Sequence, residues 1–341
     1  MPILAAAVLF GVSAPLSKIL LGEVSGVMLA SLLYLGSGIG LLFYRGLMAQ
    51  NGSTGKEAPL KRTDILWLAG AVFAGGVAAP IALLTGLSST PSSVASLLLC
   101  FEGVSTALIA ALFFKESVDG RTLAAVFLIL LGSVILTFQP GEWTVSAGAL
   151  SILAACVFWG MDNNFTRNIS YKDPVEIVTI KGLCAGSFSL ILALLLQNGI
   201  PGVFFILSAL LLGFFSYGLS TVLFVYSLRN LGAARSGALF GIAPFIGAIA
   251  SFLLLHEEPN ILFITALPLM LIGVYLLVAE KHDHLHTHDN GEHEHPHQVD
   301  EHHTHEHDDI GCEKTHLHPH IHEPLTHKHS HAPDTHHRHN H

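Results

Sequence analysis

Three charged side chains interrupt long apolar runs of this 341-residue sequence, and each could do chemistry there: Glu102, Asp162 and Lys181. A charge at the centre of a bilayer costs at least ~2.5–3.5 kcal/mol on insertion scales, so such a group faces a cavity or a partner. Glu102 falls near the middle of its run, roughly 15 Å from either end at the rise of an α-helix. The spacing offers it no evident partner. A carboxyl group at that depth exchanges its proton readily, which suits proton coupling or the holding of a substrate amine. Asp162 and Lys181 lie in consecutive runs at similar depth and could pair, either to fix the packing of two helices or to engage a solute.

Polar and aromatic side chains surround these charges. Asn163 and Asn164 follow Asp162, and Trp159 precedes it by close to one helical turn. That face could hold a small solute. Ser216, Tyr217, Ser220 and Thr221 form a second stripe at i and i+4 spacing, with Tyr217 and Thr221 as candidate solute contacts. Hydrogen bonding between helices explains such a stripe as well as a pore lining does.

A different chemistry fills the C-terminal end. His282, His284, His286 and His288 alternate with other residues, and so do His293, His295 and His297. The pattern returns at His316, His318, His320 and His322, and again at His327, His329 and His331. Alternate positions of an extended chain share a face, so neighbouring imidazoles can close on one ion. Imidazole suits Zn, Ni, Cu and Co, and the interleaved Asp and Glu add oxygen ligands. Apolar residues nearly vanish here, so 280–341 is expected to be a disordered tail. A pH-responsive polyanion is the plainer alternative, and the His-x-His pattern favours metal binding over it.

The elements that must position these residues follow from composition. The chain is 51% hydrophobic and 12% charged, with a mean hydropathy of +0.57. That balance excludes an ordinary cytosolic enzyme, a nucleic-acid binder and a disulfide scaffold. Residues 1–279 hold 12 Lys/Arg and 12 Asp/Glu, so the net charge of −9 belongs to the tail, with 22 of the 23 histidines. Cys100, Cys156 and Cys184 lie in apolar runs and Cys312 lies in the tail, with no CxxC among them. Buried small hydrophobes are the expected role of the first three.

A membrane-spanning helix takes about 20 mainly apolar residues. Such windows recur at 2–21, 26–47, 64–86, 92–114, 121–139, 146–166, 175–197, 202–227, 233–255 and 260–279. The first carries Pro15 and Lys18 and lacks a basic leader, so it reads as the first helix of a bundle rather than a signal peptide. Lys and Arg cluster in alternate loops: Arg45 to Arg62, Lys115 with Arg121, Arg167 with Lys172, and Arg229 with Arg235. Positive charge stays inside, which places both termini and the tail in the cytoplasm. Only Lys18 runs against this pattern. The expected fold is an all-α polytopic membrane protein of ten transmembrane helices in the plasma (inner) membrane.

The two halves resemble each other. ILAAAVLFG over 3–11 matches ILAACVFWG over 152–160, and a base follows seven residues later in each copy, Lys18 and Arg167. Phe114-Lys115-Glu116 with Gly132 matches Leu255-His256-Glu257 with Gly273. The halves are thus 1–140 and 146–279, five spans each. Five is odd, so the second half is inverted relative to the first.

The paired aromatic-Gly and helix-closing Glu signatures, with the FEG segment at 101–103 and WGMDNNFTR at 159–167, resemble the drug/metabolite transporter superfamily. The resemblance is to two EamA-type repeats of one bacterial branch and covers about 1–279. It implies a carrier that moves a small organic solute by alternating access, often outward, with a proton or counter-solute as coupling partner and no cofactor required. Glu116 and Glu257 read as interfacial charges that stop helices, to which the resemblance adds a latching role. GxxxG runs at Gly36, Gly182 and Gly237 would let helices approach closely, and Pro15, Pro80, Pro244 and Pro268 are tolerable kinks.

Two other functions compete with a solute exporter whose tail binds Zn, Ni or Co. One is a transition-metal transporter whose tail collects cargo; the other is a metal-sensing membrane protein that moves nothing. The body favours the exporter, because its spans hold no HxxxD, no HxxxH and no histidine at mid-depth. No GxxxxGK[ST] loop occurs, which disfavours ATP-driven pumping by this chain.

Overall fold

The computed structural model describes residues 2–50, 60–114, 120–138, 145–170, 172–227 and 239–278, and the backbone of 282–287, 292–297, 316–321 and 326–331 in the tail. The regular elements of the described body are helical, with one isolated bridge between Phe138 and Val145. Its elements are α1 (Pro2–Gly11), α2 (Ser13–Leu20), α3 (Gly26–Gln50), α4 (Arg62–Ser89), α5 (Ser92–Leu98), α6 (Phe101–Phe114), α7 (Gly120–Thr137), α8 (Ala147–Arg167), α9 (Pro174–Leu195), α10 (Val203–Ser227), α11 (Ala243–Leu255) and α12 (Ile261–Val278). Among the described residues, 7 helical spans are long and apolar enough to cross a membrane, Pro2–Leu20 and Ser92–Phe113 among them. Ala243–Leu255 and Ile261–Leu277 are apolar but shorter. The α8 helix has the length but carries Asp162, Asn163, Asn164 and Arg167.

Several helices start where the sequence supplies a cap. The Asp173 carboxylate accepts from the Val175 N–H at 2.9 Å, with Pro174 at the first turn of α9. The Ser146 hydroxyl accepts from the Ala149 N–H at 3.2 Å. Each satisfies a donor that a helix start leaves without an internal partner.

The apolar runs are not all straight rods. Val12 separates α1 from α2, and Leu99 with Cys100 separates α5 from α6. Within α4 and α10 one stretch each winds as a π-helix, Val72–Ala78 and Gly213–Leu219. These two stretches are displaced along the chain by the same interval as Glu116 and Glu257. Hydropathy cannot show such breaks, because they leave the sum over a window unchanged.

Long helices pack in pairs across the two halves: α3 with α9 and α10, α7 with α12, α4 with α8, and α11 with α5 and α1. Glycine makes the closest crossings possible. A Cβ on Gly182 would collide with the backbone of Gly38, and one on Gly213 would collide with Leu33. The core between helices is aliphatic, with Leu29, Leu33, Leu83, Leu98 and Ile152 fully buried. Leu66, Phe113, Ile200 and Phe204 point outward and are among the most exposed large apolar residues. An apolar exterior around internally bonded helices is what a lipid environment demands.

Among the described residues of the tail, the backbone register sets His282–Thr287 antiparallel to Thr326–His331 and Glu292–His297 antiparallel to His316–Ile321. The period-two alternation that places histidines on one face also fits an extended pairing, although a lone two-stranded ladder is marginal in water. His288 and His322 lie outside the described residues. Lys172, one of the loop bases counted for orientation, is buried and pairs with buried Asp64 at 3.6 Å.

Candidate functional site

The break at Leu99 and Cys100 places Glu102 in the first turn of α6. A helix N-terminus favours negative charge, which helps hold a carboxylate at this depth. The side chain is half-buried and does have a partner, contrary to the reading from spacing. The Asn163 amide nitrogen on α8 donates to Glu102 Oε1 at 2.9 Å and to Thr106 Oγ1 at 3.1 Å. Asn163 is exposed although it lies within a helix bundle. Glu102, Thr106 and Asn163 therefore form a polar patch that keeps hydrogen-bonding capacity for another molecule.

The neighbouring residues of α8 take different roles because each turns about 100° from the last. Asn164 is buried, and its amide donates to Gly160 O at 2.8 Å and to Thr106 O at 3.1 Å. It fastens α8 to α6. Asp162 is buried and forms an ion pair with Lys181 on α9, while Thr166 Oγ1 donates to its other oxygen at 3.0 Å. The pairing anticipated from depth is present. It joins the sixth and seventh apolar windows.

Trp159 closes the group on its apolar side. Its indole N–H donates to Gly75 O at 3.2 Å, and Tyr34 Oη donates to the same carbonyl at 2.5 Å. Gly75 lies within the π stretch of α4, and a Cβ there would collide with the Asp162 carboxylate. Tyr217 is buried against Tyr34 and Phe10, with ring centroids 5.5 Å and 6.1 Å away. Phe10 also meets Trp159 at 6.3 Å and Phe240 at 5.4 Å. The result is an aromatic cluster drawn from both halves of the chain beside the charged residues.

The serine stripe of α10 joins helices. Ser216 and Ser220 donate to Leu9 O and Ala6 O of α1 at 2.6 Å and 2.8 Å. Thr221 donates to Tyr217 O in its own helix at 2.9 Å, so its hydroxyl is already used. Tyr34, Thr106 and Gly75 were not singled out from sequence, whereas Phe10 is the aromatic of the first aromatic-Gly pair, matched by Trp159-Gly160. For Gly75 the available signal was the Gly75-Gly76 pair, aligned on Ser216-Tyr217 by the repeat interval.

Among the described residues, no group of three or more His, Cys, Asp or Glu could hold a metal ion. The tail histidines are described only in backbone register, which sets His282 opposite His331 and His295 opposite His318.

Comparisons with known proteins agree with this membrane architecture. The chain is 32% identical over 290 residues to an "Uncharacterized transporter" of Methanothermobacter thermautotrophicus, covering 81% of this chain and 84% of that one. It is 25% identical over 229 residues to a "Probable terminal-alkyne amino-acid exporter" of Streptantibioticus cattleyicolor, covering 66% and 77% respectively. A crystal structure superposes with a TM-score of 0.60 at 19% identity, over 81% of this chain and 97% of that chain, which shows a shared fold. The family model for EamA-like transporters matches twice, over residues 1–138 and 146–279. The chain is a multi-pass membrane protein of the EamA-like transporter family.

Proposed function

We propose that this protein is a secondary carrier that exports a small organic solute bearing a protonated amine, with Glu102 and Asn163 as its polar contacts. One observation carries the reading: a half-buried carboxylate and an exposed amide meet at a helix break beside an aromatic cluster. A carboxylate in such a place offers a charge-assisted hydrogen bond to an ammonium group, and aromatic faces add cation–π attraction and apolar area. Asp162 and Lys181 neutralise each other next door, which leaves Glu102 to set the sign of the site. The relative named a probable terminal-alkyne amino-acid exporter is consistent with an amine-bearing solute.

In this reading all ten apolar windows span the inner membrane as two inverted five-helix repeats, with both termini in the cytoplasm. Alternating access exposes the Glu102 site to one side at a time. A proton competing for Glu102 supplies the coupling. The tail binds Zn, Ni or Co from the cytoplasm and tunes metal-dependent regulation rather than carrying cargo.

Proteoliposomes loaded with a mixture of amino acids and small amines test the site. Glu102→Gln keeps the shape, removes the charge and should lower amine efflux about tenfold or more, the scale of one charge-assisted hydrogen bond. The remaining flux should lose its pH dependence while membrane insertion stays normal. Wild-type flux with wild-type pH dependence would remove Glu102 from the mechanism.

A further inference from the structure

The alternating histidines of the tail recur in four clusters, and the backbone sets these clusters against one another. The strands are β1 (His282–Thr287), β2 (Glu292–His297), β3 (His316–Ile321) and β4 (Thr326–His331). In the outer ladder, β1 with β4, His282 is registered against His331, His284 against His329 and His286 against His327. The inner ladder, β2 with β3, repeats this from His293 against His320 to His297 against His316. Every histidine of the four strands is thus opposite another histidine, and no rung mixes histidine with a different residue type.

Alternation alone does not require this match. A slip of one residue would leave the histidines of the two strands on opposite faces. Two prolines favour the register that is present. Pro296 is opposite Leu317 and Pro319 is opposite Glu294, so both fall on rungs between the histidines. Rungs of an antiparallel ladder alternate between pairs that exchange N–H···O bonds and pairs that do not, and proline has no N–H to give. Both prolines are accommodated only on rungs of the non-bonding kind. A one-residue slip would put them on rungs of opposite kinds and lose a ladder bond. The two ladders also share one register, because the stretches between them, 288–291 and 322–325, are equal in length.

Directly opposite residues of an antiparallel pair carry Cβ atoms about 4.5–5.5 Å apart, and alternate residues of one strand share a face at about 7 Å spacing. Two neighbouring rungs therefore put four histidines on one patch, two from each strand. Tetrahedral Zn takes four such nitrogen ligands, and Ni and Co also accept imidazole. A bare two-stranded ladder is marginal in water. An ion shared between its strands supplies the missing stability, because binding to a site that forms only on folding is itself folding free energy. We propose that the tail is a metal-closed hairpin: in each ladder two neighbouring histidine rungs share one Zn, Ni or Co ion across the strands. This inference rests on the reading of the tail as a metal binder and gives that reading its sites. Closure sets His331 beside His282, shortly after α12 ends at Val278. Metal occupancy then decides whether the far part of the tail lies against its start.

The test uses the full chain in detergent, with its native cysteines replaced and pyrene attached at Asp283→Cys and Ser330→Cys. These two positions are opposite each other in the register, on a rung between the histidine rungs. Pyrene excimer emission requires the two labels to meet, and dilution separates it from contact between molecules. Zn should raise the excimer-to-monomer ratio several-fold, and Mg, which prefers oxygen ligands, should leave it unchanged. Calorimetry on the unlabelled chain should find one tight Zn site per ladder. His282→Ala, His284→Ala and His286→Ala together should remove the outer site. His327→Ala, His329→Ala and His331→Ala should remove that same site, and all six changes should remove no more. Zn bound with an unchanged excimer ratio, or a separate site lost with each cluster, would overturn the hairpin and leave each His-x-His cluster binding by itself. A chain that binds no Zn at all would overturn the metal reading, and the hairpin with it. Neither readout involves transport, so a failed efflux assay would count against the Glu102 site alone.

Discussion

Asn163 and Asn164 are adjacent and chemically identical, yet the structure gives them separate work. Asn164 is buried with two carbonyl partners, one in its own helix and one in α6. Asn163 is exposed and holds the Glu102 carboxylate. Asn164→Ala should therefore cost about 1–3 kcal/mol of stability, because it removes two hydrogen bonds of a buried side chain, one of which fastens α8 to α6. Asn163→Ala should change stability by less than about 1 kcal/mol while lowering amine efflux several-fold. Thermal unfolding in detergent beside efflux from proteoliposomes separates the two, and equal effects of both substitutions on stability would contradict the assignment.

At the scale of elements, the π stretches are the main departure from regular helices. A π turn is rare and often marks functional sites, since it bends the rod and frees a backbone group. In α4 the Gly75 carbonyl uses that freedom to accept from Tyr34 and Trp159, one from each half of the chain. Tyr34→Phe and Trp159→Phe should each cost about 1 kcal/mol, the net worth of an ordinary hydrogen bond. Gly75→Ala should cost more, about 1–3 kcal/mol or above, because its methyl would meet the Asp162 carboxylate and disturb the pair with Lys181. Thermal unfolding of the three variants measures this, and a Gly75→Ala protein as stable as its parent would show that the π stretch has room to relax.

At the scale of the molecule, two expectations concern which side each part faces and what the tail does. Loop charge puts Asn51 and the tail inside and puts Ser89 and Gly199 outside. Single cysteines at these positions in a Cys-free background should label with an impermeant thiol reagent only at 89 and 199, and rapid external labelling at 51 would sink the inverted ten-span arrangement. The metal binding proposed for the tail histidines requires neutral imidazole, whose ordinary pKa is ~6.5. Protonation displaces metal, so Zn binding by the full chain should be strong at about pH 7.5 and weaken steeply toward about pH 5.5. Truncation after Glu280 should remove that binding and leave solute efflux intact. Loss of all efflux in a properly inserted truncation would favour metal as cargo.

The membrane class, the limits of most helices, the internal repeat and the Asp162–Lys181 pair were legible in the residues alone. Each depends on a quantity that adds up along the chain: apolar length, loop charge, repeat interval or depth. Tertiary structure decided the rest. Which of two neighbouring asparagines meets Glu102 depends on the rotation of α8 against α6, and a single residue shifts that by about 100°. The partners of Lys18 and Glu257 are backbone groups on the 87–93 turn, and backbone groups have no letter in a sequence. The same is true of the Gly75 carbonyl, whose two donors stand far apart in the chain and meet only because helices from both halves pack around one π turn.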